Sequence, residues 1–326
     1  MQERGADRLT FGPVPSRRLG RSLGINNIPP KACSYSCVYC QVGPTLATEM
    51  TPRPFYEPRH IRREVEKHLR QVREMGEQID YLTFVPDGEP TLDLRLGEAI
   101  ELLHPLGIPI AVISNASLIW KEEVRGILDT VDWVSLKVDA IDEALWRSIN
   151  RPHPDLDHQT ILNGMLTFAQ SYKGTLATET MLVSGLNDGD SAASMLAEFL
   201  AELAPDQAYL SIPTRPPSER TIQAPDEDTL NRVFQIVSRR VQTLELLTGY
   251  EGNAFAGTGN VAEDLLAITA VHPMREEAVR ELLAKVGTHW RLVERLVADG
   301  QLKRTEYQGR VFYVRRIPAQ SGNEGI

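Results

Sequence analysis

Two apolar patterns alternate along this chain. Short runs rich in β-branched and aromatic residues, at 23–28, 79–85, 109–114, 131–138, 175–183 and 207–212, read as strands. Stretches at 58–75, 94–104, 121–128, 157–172, 191–203 and 226–239 carry apolar residues at helical spacing. In the first of these, Ile61, Val65, His68, Leu69 and Val72 mark one face. Pro225-Asp226 gives the last stretch an N-cap and an acidic first turn. Six strands alternating with helices predict a mostly parallel sheet with helices outside it, an α/β fold. Periodicity does not separate an open sheet from a curved, partial barrel. In both, ligands gather at the carboxyl ends of the strands, so the loops after each run are where chemistry is expected.

The pattern is different at both ends. Residues 1–22 are polar, rich in arginine and broken by Pro13 and Pro15, and read as an irregular arm before an α/β domain over 23–250. Residues 251–261 are glycine-rich and read as a linker. Beyond it, helical patterns over 262–268, 276–285 and 290–299 precede two short strands, 301–305 and 310–315, joined by a turn at Tyr307-Gln308-Gly309. Three short helices and a terminal hairpin make a winged-helix pattern over 262–317, and residues 318–326 read as a disordered tail.

Composition narrows the classes. Hydrophobic residues at 42% and charged residues at 24% are ordinary for a globular protein. No apolar run approaches the ~20 residues that span a bilayer, and the amino terminus lacks the apolar segment of a secretory signal, so a cytoplasmic protein with no membrane partner is expected. A net charge of −9 argues against a protein coated in nucleic acid. The hairpin is nevertheless locally basic, with Lys303, Arg304, Arg310, Arg315 and Arg316 set against Glu306 and Glu324. The preceding helices carry more acidic than basic residues, so any nucleic acid held there is bound modestly and salt-sensitively.

All three cysteines stand in one run, Cys33-Ser-Tyr-Ser-Cys37-Val-Tyr-Cys40, directly after the first strand. An odd number without a secretory signal argues for thiols rather than disulfides. Three soft thiolates are one short of the four that close a structural zinc or iron–sulfur site, which leaves one metal with an open position. The plainer alternative is a zinc knob completed by a distant histidine, although no Cys or His pair at finger spacing follows.

Cys33-x3-Cys37-x-Tyr39-Cys40, with an aromatic residue before the last cysteine, resembles the signature of the radical S-adenosylmethionine (SAM) superfamily. A second match follows the second strand, where Asp87-Gly88-Glu89-Pro90 is similar to the family's Gly-Gly-Glu-Pro segment with Asp for the first Gly. The resemblance covers roughly residues 11–245 and implies a partial (β/α)6 barrel of the TIM type. It also implies a [4Fe-4S] cluster on Cys33, Cys37 and Cys40, with the fourth iron chelated by the amino and carboxylate groups of SAM. Reductive cleavage would give a 5′-deoxyadenosyl radical that abstracts hydrogen from a substrate. Electrons would come from an external donor of the flavodoxin or ferredoxin type. With three cysteines in all, a further all-cysteine cluster is excluded.

The resemblance also suggests SAM contacts, each with a plainer alternative. Gly88 and Glu89 would offer backbone groups to the methionyl ammonium with Pro90 fixing the turn, and Asp87 would add a carboxylate beside it; an ordinary Asp-Gly turn is the alternative. Ser114 and Asn115, closing the third strand, could reach the ribose or carboxylate, or simply cap a helix. Ser135, Lys137 and Asp139 share one face of the fourth strand. If that face points inward, Lys137 partners the SAM carboxylate; otherwise it reaches solvent. Glu179 could hold the ribose hydroxyls, and Tyr39 could pack on adenine or shield the cluster.

Substrate signals are weaker. Arg17-Arg18, Arg151 and Arg215 suit a carboxylate or phosphate, or loop ion pairs, and His272 reads as structural. The substrate is an RNA base, a partner protein such as a glycyl-radical enzyme, or a small metabolite or peptide, with the winged helix a candidate contact for nucleic acid or protein. The alternative of a different class is an iron–sulfur redox-sensing transcriptional regulator acting through the winged helix.

Overall fold

The computed structural model describes residues 9–249, 255 and 260–316. Eight strands form one sheet in chain order: β1 (Thr10–Ser16), β2 (Gly20–Ile25), β3 (Tyr81–Phe84), β4 (Ile110–Ser114), β5 (Trp133–Lys137), β6 (Thr175–Met181), β7 (Gln207–Ser211) and β8 (Leu244–Leu247). The β1–β2 pair is antiparallel, and every later pair is parallel. Helices α1 (Pro58–Glu74), α2 (Leu96–Leu103), α3 (Glu122–Leu128), α4 (Glu143–Asn150), α5 (His158–Ser171), α6 (Asp190–Leu203) and α7 (Glu227–Ser238) lie between the strands. This is the expected α/β class, arranged as in a partial barrel.

The period-two alternation of strand side chains gives the sheet two different faces. On one, Leu82, Phe84, Ile110, Val112, Val134, Leu136, Leu176 and Leu210 join a core with the buried stripes of the helices. On the other, Ala111, Trp133, Ala177, Tyr209 and Leu247 form an apolar floor with Leu19. Two to four residues nearer the carboxyl ends, this second face turns polar, with Ser135, Lys137, Glu179 and Ser211. The sheet curls over the floor. Leu19, from the β1–β2 turn, sits in the same cluster as Leu247 of β8, and the Arg17 guanidinium donates to the Gly249 carbonyl at 3.1 Å.

Beyond the sheet come α8 (Val261–Val271), β9 (Met274–Arg275), α9 (Glu276–Lys285), α10 (Arg291–Ala298), β10 (Leu302–Tyr307) and β11 (Arg310–Arg315). The strands form an antiparallel sheet in the order β10-β11-β9. Leu265, Ile268, Met274, Leu282, Val293 and Tyr313 make its core, which is continuous with Phe11 and Val14 of β1. Among the described residues no helix is long and apolar enough to cross a membrane.

Three sequence expectations change. Residues 10–16 of the expected irregular arm are β1. Its prolines are tolerated because it is an edge strand with an irregular register between Phe11 and Val14. Buried His68 of α1 bonds across to it, with Nδ1 2.9 Å from Thr10 Oγ1 and Nε2 3.0 Å from the Gly12 carbonyl. Helix α4 and strand β8 were not expected, being only eight and four residues long. Within α4 just Trp146, Ile149 and Asn150 are buried, too few to stand out as a period. The linker expected over 251–261 falls outside the described residues except for Phe255, Asn260 and Val261, as do residues 1–8 of the arm and the tail 318–326; Val261 already belongs to α8.

Candidate active site

A cavity of about 380 Å³ opens at the carboxyl ends of the strands, and Cys33, Cys37 and Cys40 all line it. Their loop leaves β2 and is pinned on two sides. Ser36 and Val38 donate backbone N–H bonds to the carbonyls of Asn150 and Ile149, and Glu49 donates to the Cys33 carbonyl. The thiols are free and half-buried. Burial pushes all three up, Cys37 to about 12, so binding a metal must release protons. Among the described residues no three His, Cys, Asp or Glu side chains converge as a single metal ion requires.

The turn after β3 presses against this loop. Gly88 is required there because a Cβ would stand 2.1 Å from the Ala32 carbonyl oxygen. Asp87 faces the cavity, is 6% exposed, and has Lys31 Nζ 3.1 Å from Oδ1. Burial raises the Asp87 carboxyl despite that neighbour. Glu89 and Pro90 do not line the cavity. The Glu89 N–H is taken by the Ala32 carbonyl, and its fully buried carboxylate accepts from Thr91 N and Oγ1, Ser114 Oγ at 2.7 Å and Asn115 N at 2.7 Å. Burial raises this carboxyl and the four donors pull it back. Its side chain therefore fastens the end of β4 to the end of β3. Ser114 and Asn115 do line the cavity, and Asn115 Nδ2 reaches Ser34 Oγ at 2.9 Å and Cys33 Sγ at 3.7 Å.

Lys137, Glu179 and Ser135 face inward on the opposite wall. Strand register sets Lys137 beside Glu179, and their side chains pair at 2.9 Å. Arg18 pairs with the other carboxylate oxygen, and Ser211 Oγ donates at 3.1 Å. Burial alone would raise the Glu179 carboxyl, but Lys137 and Arg18 prevail and hold it well below the usual range. Lys137 is thus taken up by Glu179, with its side chain still 20% exposed on the cavity wall. Its ammonium also lies 5.2 Å from the Tyr39 ring centroid.

Asp139 departs from the expected alternation because β5 ends at Lys137. It sits behind the wall instead, accepting from the Tyr39 hydroxyl, from Asn150 Nδ2 at 2.7 Å and from Met181 N at 2.8 Å. The arginine candidates separate: Arg17, Arg18 and Arg215 line the cavity, whereas Arg151 ends α4 in a left-handed conformation and pairs with Glu219. His272 also lines the mouth, its Nε2 3.0 Å from Arg215 Nη2, while Arg215 Nη1 donates to Gln41 Oε1 at 2.9 Å. Three residues that the sequence reading did not link to the cysteines adjoin them or their loop: Lys31, Asn150 and Gln41. Lys31 could have been suspected from its place two residues before Cys33. Asn150 arrives through the unexpected α4 and carried no signal of its own.

A loop of three thiols and a charged inner wall stand together at the carboxyl ends of a curled, mostly parallel α/β sheet. The sequence profile described as "Radical SAM superfamily" matches residues 27–200, and the chain belongs to that superfamily. Its cofactors are a [4Fe-4S] cluster and SAM. It is 48% identical to "UPF0026 protein MJ1312" of Methanocaldococcus jannaschii over 97% of this chain and 98% of the relative. Among solved structures it resembles TYW1 with a lysine-pyruvate adduct bound (TM-score 0.52, 17% identity, 68% of this chain and 74% of that one). It also resembles Streptococcus suis SuiB bound to S-adenosylmethionine (TM-score 0.51, 15% identity, 68% of this chain and 49% of that one). At these identities the two structures speak for the fold.

Proposed function

We propose that Cys33, Cys37 and Cys40 hold the [4Fe-4S] cluster, that SAM fills the adjoining cavity, and that the substrate is one base of an RNA strand presented at the mouth. When bound, cluster and SAM supply hydrogen-atom abstraction. The chain's own residues bind and orient. Gly88 lets the turn after β3 approach the cysteine loop, and Asp87 offers a buried carboxylate to the methionyl ammonium. Glu179 is held ionised by Lys137 and Arg18, and its carboxylate can accept from ribose hydroxyls. Lys137 is committed to Glu179 and the Ser114 hydroxyl to Glu89, so the Asn115 side-chain amide, which also lines the cavity, is the candidate donor for the SAM carboxylate. The floor of Trp133, Tyr209 and Leu247 shuts water out from below.

The observation that carries the cofactor reading is the joint lining of one cavity by all three thiols, Asp87, Gly88 and Glu179. Anaerobic reconstitution with iron and sulfide, followed by SAM and a strong reductant, should release 5′-deoxyadenosine. A zinc-loaded protein without that product overturns the reading.

We read α8 to β11 as a winged helix. Exposed Lys303, Arg304 and Arg310 lie on its hairpin, and Tyr307 from the same hairpin donates to the Pro213 carbonyl at 3.2 Å. Pro213 lines the cavity. Cations on a hairpin that is tied to the mouth through Tyr307 suit a phosphate backbone whose unstacked base enters the pocket. A labelled single-stranded RNA should bind more weakly as salt rises, and more weakly to a Lys303→Ala, Arg304→Ala, Arg310→Ala triple variant. Equal binding by both proteins removes RNA and leaves a protein or small-molecule substrate. The regulator reading is not favoured, because the helical module shares its core with β1.

A further inference from the structure

Each cysteine sulfur has one side-chain N–H donor in reach, and the three donors differ in charge. Asn115 Nδ2 lies 3.7 Å from Cys33, Asn150 Nδ2 3.4 Å from Cys37, and Lys31 Nζ 3.8 Å from Cys40. Two are neutral amides and the third is an ammonium. Lys31 is held there at some expense of backbone comfort: its φ is +67°, a left-handed conformation that costs a non-glycine residue on the order of 1 kcal/mol. What over-determines it is a set of bonds around the cysteine loop. Its N–H donates to the Asp87 carbonyl at 2.7 Å, and its ammonium donates to the Gly43 carbonyl at 2.7 Å and pairs with the Asp87 carboxylate at 3.1 Å. Lys31 and Gly43 bracket the three cysteines, so a single side chain closes the loop. Asp87 stands where the family segment it resembles has a glycine, so the partner carboxylate belongs to this chain's own departure from that pattern.

We propose that Lys31 and Asp87 are a matched pair of positioning residues that set the cluster's reduction potential from opposite sides, Lys31 raising it and Asp87 lowering it. The inference rests on the cluster reading above. Reduction adds negative charge to a cluster ligated by thiolates. A cation near a sulfur favours that added charge, and an anion at similar range opposes it. Neighbouring charge and hydrogen bonds to the sulfurs are the protein's levers on such potentials, and a charged donor acts more strongly than a neutral one. Asn115 and Asn150 therefore belong to the same set with smaller effects.

The test uses the full chain, reconstituted anaerobically, with iron and sulfide counted before a redox titration followed by the spin signal of the reduced cluster. Lys31→Met should move the midpoint to a more negative potential and Asp87→Asn to a more positive one. The double variant should fall between them, and Lys31→Arg should stay near wild type. Asn150→Ala should shift in the direction of Lys31→Met, and by less. A merely structural pair would move both single variants the same way or neither, and either result overturns the proposal. If Lys31→Met takes up no cluster, Asp87→Asn decides: a midpoint at or below wild type overturns the inference. A wild-type chain that takes up no cluster overturns the proposed function and this inference with it, whereas a loaded chain with unmoved midpoints overturns only the inference.

Discussion

Two groups of half-buried charge line the cavity, and they are built by different means. On the loop side Lys31 meets Asp87 through a turn that closes only because Gly88 has no side chain. On the strand side Arg18, Glu179 and Lys137 meet because strand register puts Lys137 beside Glu179. One wall depends on how closely two backbones approach, the other on one carboxylate held between two cations. Disturbing the first should cost the cluster, and disturbing the second should cost stability while the cluster is still taken up.

Gly88→Ala should have the largest effect. The added methyl would stand 2.1 Å from a backbone oxygen, so the β3 turn and the cysteine loop must part. The variant should fold around an intact sheet yet retain little iron and sulfide after reconstitution. Retention equal to wild type would show that the close approach is irrelevant to the site.

Glu179→Gln should do the reverse. It leaves Lys137 and Arg18 facing each other without the carboxylate between them, and removing one member of a buried pair costs about 3 kcal/mol. Denaturant unfolding should report that loss while cluster uptake is preserved. The sign with pH is also fixed. A carboxyl held below its usual range contributes stability that is full above about pH 4.5 and is lost as pH falls toward its folded value. Wild type should therefore lose more stability than Glu179→Gln between about pH 5 and 3.

The two walls were unequally legible in the sequence. The alternation Ser135-x-Lys137 and the spacing of Glu179 placed the strand wall, since a residue's face follows from period two. What stayed hidden was the partner: Lys137 turned to Glu179 because their strands are neighbours, and neighbours are a tertiary fact. The loop wall announced its cysteines and its Gly-Glu-Pro turn, but not the division of labour inside the turn. Glu89 proved to be a buried fastener between β3 and β4, and Asp87 the group that faces the cavity. Helix α4 escaped because three buried positions in eight residues make no period, and Asn150 went with it. Strand β1 escaped because prolines that argue against a central strand are acceptable at an edge.

His272 sharpens the contrast from a third side, where the helical module meets the mouth. Burial, and then the Arg215 guanidinium, hold its imidazole well below its ordinary range, so it is neutral in the folded protein. Protonation is easier once the chain unfolds. The contribution is therefore complete above about pH 6.5 and declines as pH drops below that value. Thermal unfolding should show wild type weakening from pH 7 to 5 and His272→Gln weakening less over the same range. Parallel curves would mean that the ring is not shielded as the geometry indicates.

The smallest effect belongs to the second tie between module and barrel. Tyr307→Phe removes one hydroxyl, partly buried, that donates to the Pro213 carbonyl at 3.2 Å. A single neutral hydrogen bond of this kind contributes about 1 kcal/mol or less. The apolar core shared by β1, α8 and β11 remains, so global unfolding should barely move. Pro213 also lines the cavity, however, and the loop after β7 carries Arg215 toward Gln41 and His272. Loss of the tie should appear as faster amide exchange at Ile212, Thr214 and Arg215 with no change in the exchange of β6 or β7. Unchanged exchange in that loop would mean that Arg215 alone holds the mouth, and the hairpin would then be a neighbour of the site rather than part of its frame.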